Sequence, residues 1–104
     1  MTTPRVALIT GGARGIGLGI ARAMASEGLA LALNGVRPEA DIAGVLDDLR
    51  GTGATVIYAP GDVSSPDDRA RIIATVRDRY GRLDVLVNNA GITSPGRKDI
   101  LDAE

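Results

Sequence analysis

The sequence contains neither cysteine nor histidine. A disulfide, a thiolate nucleophile, a Cys/His zinc site and a Ser/His/Asp triad are therefore excluded by composition, and no metal site is expected. Apolar runs such as Leu29 to Leu33 fall far short of the ~18 residues that suggest a membrane span, and Met1 to Thr10 has neither the basic start nor the apolar stretch of a signal peptide. A cytoplasmic setting is the expectation. The formal net charge of −1 leaves no global field to draw nucleic acid or anionic lipid, so neither is expected as a partner. No low-complexity segment and no repeating unit is present, which removes solenoids and arrays. The charge imbalance is local: residues 1–37 carry Arg5, Arg14, Arg22 and Arg37 against only Glu27. An anion would be welcome in that first third.

A length of 104 residues with 44% hydrophobic and 24% charged content suits one packed core and leaves no room for a second domain. Arg5 to Thr10 reads as a strand that stops at two glycines. From Ile16 the apolar residues Ile16, Ile20, Ala23 and Met24 follow helical spacing, with Gly28 as the expected left-handed cap. Leu29 to Asn34 consists of good helix formers in part, but glycines at 28 and 35 confine it to strand length. Ile42, Val45, Leu46 and Leu49 form one stripe on a helix opening near Pro38 and ending at Gly51-Thr52-Gly53. Thr55 to Ala59 is a third strand. Ser65 then offers an N-cap oxygen, Pro66 suits the first helical position, and Asp67 and Asp68 suit the first turn of a helix running to Tyr80 with Ile72, Ile73, Val76 and Tyr80 inward. Leu83 to Asn88 is a fourth strand, followed by turn composition.

Apolar strands alternating with amphipathic helices predict a doubly wound α/β fold, a parallel sheet with right-handed crossovers and strand order 3-2-1-4. Four strands make about half of a six-stranded dinucleotide-binding sheet. The fourth would be an exposed apolar edge, which natural proteins avoid. The expectation is that residues 1–104 are the first part of a larger single domain, or that the missing half comes from another molecule.

Thr10 to Gly17, TGGARGIG, falls where an open α/β sheet binds phosphates on a helix N-terminus. Glycine lets backbone N–H groups approach a pyrophosphate and permits positive φ. The spacing G-x-x-x-G-x-G is neither G-x-G-x-x-G nor a P-loop, so ATP hydrolysis is disfavoured; glycines that merely make a tight turn are the plainer reading. This turn, Asp62-Val63 after the third strand and Asn88-Asn89-Ala90-Gly91 ending the fourth resemble, in order and spacing, the short-chain dehydrogenase/reductase family, with a flavour similar to its 3-oxoacyl-acyl-carrier-protein reductase-like members. The resemblance spans the whole chain but only the N-terminal portion of the family's domain. It implies an incomplete Rossmann-type fold in which Gly11, Gly12, Ala13, Arg14, Gly15, Ile16 and Gly17 cradle the pyrophosphate of a nicotinamide dinucleotide. It also implies that Asp62 meets the adenine amino group and the Val63 backbone the ring edge. Asn89 and the Ala90-Gly91 backbone would lie beside the nicotinamide-side ribose, while Asn88 ties strands together.

A ribose 2′-OH is usually held by an acidic residue at the end of the second strand. Here that stretch is Asn34-Gly35-Val36-Arg37, with no carboxylate before Glu39. Arg14 and Arg37 can instead attract a 2′-phosphate through charge-assisted hydrogen bonds, which predicts NADP(H) over NAD(H); Glu39 turning back to the ribose would reverse this. The family's Ser and Tyr-x-x-x-Lys are not matched, because Tyr58 and Tyr80 are each followed four residues on by aspartate. Both tyrosines read as core, no catalytic residue is assigned, and hydride transfer by these residues alone is not expected.

The reading is the cofactor-binding half of an NADP(H)-dependent oxidoreductase acting on a small carbonyl or alcohol, a homo-oligomer when complete. The alternatives are a non-catalytic dinucleotide-binding or regulatory module, or an inactive truncated remnant.

Overall fold

The computed structural model describes residues 4–89. Strand β1 (Val6–Thr10) leads through the glycine turn into helix α1 (Gly15–Ser26), then β2 (Ala30–Gly35), a single 3₁₀ turn (Glu39–Ile42), α2 (Ala43–Gly51), β3 (Val56–Pro60), α3 (Pro66–Tyr80) and β4 (Val85–Val87). All pairings are parallel and the sheet order is β3-β2-β1-β4, the doubly wound arrangement that the alternation of elements predicts. Among the described residues no helix is long and apolar enough to cross a membrane.

Side chains on successive strand residues point to opposite faces, so the apolar strands build two cores. Ala7, Ile9, Leu31, Leu33, Val56 and Tyr58 face α1 and α2, where Ile42, Leu46 and Leu49 close over them. Each fully buried leucine of this group contributes about 1.5–3 kcal/mol relative to exposure. On the other face the small Ala30, Ala32 and Ala59 let α3 lie close, with Ile72 and Val76 buried against them. The sheet is least covered at β4, where Leu86 is 58% exposed.

Helix ends follow the local chemistry. At Gly28 (φ +90) and Gly53 (φ +95) the chain turns left-handed after α1 and α2. The Leu29 and Ala54 N–H groups then reach back to the Met24 and Leu49 carbonyls, satisfying acceptors that the helix ends would otherwise leave bare. Ser65 caps α3 by accepting from the Asp68 N–H at 3.2 Å.

Three readings of the sequence need correction. The face that α1 presents to the sheet is centred on Gly17 and Ala21, with Ile20 and Met24 beside them, whereas Ile16 is 58% exposed and Ala23 is also exposed. The helix is turned because its first turn packs by glycine backbone, which a count of apolar side chains does not register. Pro38 precedes a 3₁₀ turn rather than opening α2 directly. The fourth strand is shorter than Leu83 to Asn88, because Asp84 serves as an anchor: its carboxylate accepts the Val6 N–H at 2.8 Å while its own N–H donates to the Val6 carbonyl. The Arg82 guanidinium beside Asp84, with that Val6 N–H, holds its carboxyl below the ordinary carboxylate range.

Candidate functional site

The strands end together. Thr10 lies opposite Asn34, Asn34 opposite Ala59, and Ile9 opposite Val87, so their carboxyl ends form one edge. The chain leaves β1 for a helix on one face and enters β4 from a helix on the other, which opens a crevice at the point where the strand order reverses. A cleft of about 1080 Å³ runs along this edge, bounded by the glycine turn, the loop after β2 and the loop after β3. That volume suits an extended small ligand.

The glycine turn is shaped by two different demands. Gly15 has φ +59, a conformation that costs other residues about 1–2 kcal/mol, and a Cβ placed on it would meet nothing within 4 Å. The surface there is kept open. A Cβ on Gly17 would instead collide with the Gly11 carbonyl oxygen and lie 2.6 Å from Asn89 Nδ2, so Gly17 brings α1 down onto the turn. The Gly12 N–H donates to the Asn34 carbonyl at 3.1 Å and fastens the turn to β2. Arg14 stands at the N-cap in extended conformation without any side-chain cap, and the first turn of α1 holds no acidic residue. Unlike α3, this helix leaves its first-turn N–H groups and the positive end of its dipole to an external anion.

At the end of β4, Asn89 is buried, at 4% exposure. Its backbone N–H donates to Thr10 Oγ1 at 2.8 Å and its Nδ2 to the Gly11 carbonyl at 3.2 Å. Among the described residues its Oδ1 has no hydrogen-bond partner. A buried amide oxygen left so costs about 1–3 kcal/mol, and a hydroxyl donor such as that of a ribose would satisfy it. Asn88 is exposed and, among the described residues, accepts a long 3.4 Å bond from the Thr10 hydroxyl, so of the two asparagines Asn89 is the stronger tie to the end of β1. Ala90 and Gly91 lie outside the described residues.

The remaining walls come from the ends of β2 and β3. Asn34 is buried, and its Nδ2 donates to the Ala59 and Gly61 carbonyls at 2.9 and 3.0 Å, so its amide nitrogen is occupied in joining the two loops. Asp62 is exposed at the lip of the cleft. Its Oδ1 accepts from the Ser64 hydroxyl at 2.7 Å and from the Ser64 N–H at 2.9 Å, and these bonds hold the carboxyl below its ordinary range. A charged hydrogen-bond acceptor is thus presented at the lip of the cleft. Val63 borders the cleft half-buried, its carbonyl accepting from Arg69 at 2.7 Å. Arg14, Ile16 and Arg37 also line it, exposed, and Asp41 joins them, a carboxylate that reading the stretch around Arg37 alone passes over; Glu39 is not among the lining residues. The signal for Asp41 was the 3₁₀ turn, which brings residue 41 back toward the cleft after Pro38.

An open glycine turn at a helix N-terminus, a charged acceptor at the far lip and an amide oxygen that has no partner among the described residues line one cleft across the strand ends. Comparison with known proteins agrees with that geometry. The profile of the family described as short chain dehydrogenase matches residues 5–104. The chain is 43% identical over 89 residues to D-beta-hydroxybutyrate dehydrogenase of Rhizobium meliloti, covering 85% of this chain and 34% of that protein. Among solved structures it resembles the 3-oxoacyl-[acyl-carrier protein] reductase of Brucella melitensis in complex with NAD, with TM-score 0.81, 40% identity and coverage of 97% of this chain and 39% of that one. It is also similar to L-sorbose reductase of Gluconobacter frateurii complexed with NADPH and L-sorbose, with TM-score 0.80, 34% identity and coverage of 86% and 34%. The chain spans about a third of the length of the curated relative, at 34%. With this match over residues 5–104, and with its parallel β3-β2-β1-β4 sheet superposing on those relatives' structures, the chain belongs to the short-chain dehydrogenase family.

Proposed function

We propose that residues 1–104 form the cofactor-binding part of an NADP(H)-dependent oxidoreductase that interconverts a small carbonyl compound and an alcohol. The observation that carries the reading is the pairing of the open, uncapped glycine turn with two exposed arginines, Arg14 and Arg37, on the same cleft, where β2 itself ends without a carboxylate and Asp41, four residues past Arg37, is the acidic residue of that loop lining it. In this reading Gly11 to Gly17 hold the pyrophosphate and Arg14 and Arg37 meet the 2′-phosphate. Asp62 and Val63 receive the adenine, and Asn89, with Ala90 and Gly91, the nicotinamide-side ribose. When bound, the nicotinamide supplies hydride transfer; the residues named here bind and orient it. Proton transfer and substrate recognition would fall to groups outside these motifs, in the remainder of a single larger domain. The complete protein would be a cytoplasmic homo-oligomer. Related structures contain NAD in one case and NADPH in another, so cofactor choice rests on this chain's own charges.

Replacing Arg37 by aspartate is expected to move the preference from NADP(H) toward NAD(H) by tenfold or more, since one charge-assisted hydrogen bond is worth about 1.5–3 kcal/mol. The ratio of dissociation constants for NADPH and NADH, measured by calorimetric titration, checks it. An unchanged ratio would overturn the assignment to NADP(H).

A further inference from the structure

Tyr58 has a connection that its place in the core does not require. It stands on β3 opposite Leu33, only 6% exposed, yet its hydroxyl crosses beneath β2 and donates to the Arg37 carbonyl at 2.7 Å. The path exists because residue 35 is glycine: a Cβ there would lie 2.8 Å from the Tyr58 hydroxyl oxygen, closer than such contacts occur. Other bonds join the loops after β2 and β3 around this strut, with the Gly61 N–H donating to the Gly35 carbonyl at 2.9 Å and Asn34 bridging to Ala59 and Gly61. On the far side of Arg37, Pro38 has φ −59 and caps the start of the 3₁₀ turn. The Arg37 backbone is therefore held between a hydrogen bond and a proline, while its exposed side chain lines the cleft.

We propose that Tyr58 is a positioning residue for cofactor choice, its hydroxyl fixing the Arg37 backbone so that the guanidinium is presented to a ribose 2′-phosphate. The inference rests on the NADP(H) reading of the cleft. Gly35 is its necessary companion, since any larger residue would push the phenol tip off the Arg37 carbonyl. Burial raises the Tyr58 pKa, so the phenol stays protonated and donating at neutral pH. Breaking the strut frees the Arg37 backbone to sample other directions, and the loss falls on the 2′-phosphate alone, because pyrophosphate and adenine are held by other elements.

The test uses two probes that differ only in the 2′-phosphate: adenosine 2′,5′-bisphosphate and AMP, titrated calorimetrically into the wild-type protein, Tyr58→Phe, Gly35→Ala and the double variant. The wild type is expected to favour the 2′-phosphate probe. Each single variant should lose about fivefold of that affinity, the size of one hydrogen bond, with AMP binding within about twofold of wild type. The double variant should lose no more than either single one, because all three break the same bond. Gly35→Ala leaves the tyrosine in the core and so answers the question should Tyr58→Phe fold poorly. A wild type that favours the 2′-phosphate probe, with variants that keep its ratio to AMP, overturns the role of Tyr58 and leaves the cofactor reading standing. A wild type without preference overturns the NADP(H) reading itself.

Discussion

Gly15→Val is expected to abolish binding of both NADP(H) and NAD(H) in a protein that still folds. The two effects separate because of where the new side chain would go. At φ +59 valine pays a backbone penalty of about 1–3 kcal/mol, but its Cβ meets nothing within 4 Å, so no packed neighbour has to move. The side chain enters the open face of the turn, where, in the proposed reading, the phosphates would approach the N–H groups of α1. We expect affinity for either cofactor to fall by at least about 100-fold, roughly 2.7 kcal/mol. Circular dichroism should show the wild-type signature, and titration with NADPH and NADH should show no saturable binding. Retained binding with the fold intact would make the turn a structural device only.

Gly17→Ala should act on the fold first. A Cβ at this position collides with the Gly11 carbonyl oxygen and presses on Asn89 Nδ2. Neither is the yielding tip of a long side chain: one is backbone, and the other is a buried amide already bonded to that carbonyl at 3.2 Å. Relief requires α1 to move away from the turn and β4 to loosen from β1. Overpacking of this kind costs about 3 kcal/mol, which for a domain of this size lowers the melting midpoint by about 12 °C or more. Gly19→Ala is the control within the same helix. It is exposed, meets nothing within 4 Å, and should stabilise by about 0.5–1 kcal/mol, because alanine is the better helix former. Equal melting midpoints for the two variants would contradict the packing assigned to Gly17.

The contrast between these glycines also shows what was legible in the sequence. The element order and the sheet order could be read from apolar strands, cap residues and the spacing of Ile42, Leu46 and Leu49, all local signals tied to backbone geometry. Ser65 as the α3 cap and Gly28 as the α1 terminator follow from the same chemistry. The rotation of α1 could not be read, because the residue that sets it, Gly17, has no side chain to count, and Ile16 drew the apolar stripe toward itself while lying 58% exposed.

The site divides in the same way. That a glycine turn, Asp62 and Asn89 share one edge follows from the parallel topology once each is placed at a strand end. How each is used depends on contacts between residues distant in the chain. Asn34 spends its amide on the loop after β3, Asn89 rather than Asn88 locks β4 to β1, and Tyr58 reaches Arg37. Asp41 enters the cleft wall through a 3₁₀ turn that apolar periodicity does not distinguish from the start of a helix.

The central claim is that this cleft holds a nicotinamide dinucleotide and prefers the one bearing a 2′-phosphate. Its most direct test is calorimetric titration of the wild-type protein with NADPH and, separately, with NADH under identical salt. Saturable one-to-one binding of NADPH is expected, about tenfold or more tighter than that of NADH, corresponding to one arginine–phosphate contact. Absence of binding by either would contradict the functional reading of the glycine turn, and tighter binding of NADH would contradict the role given to Arg14 and Arg37.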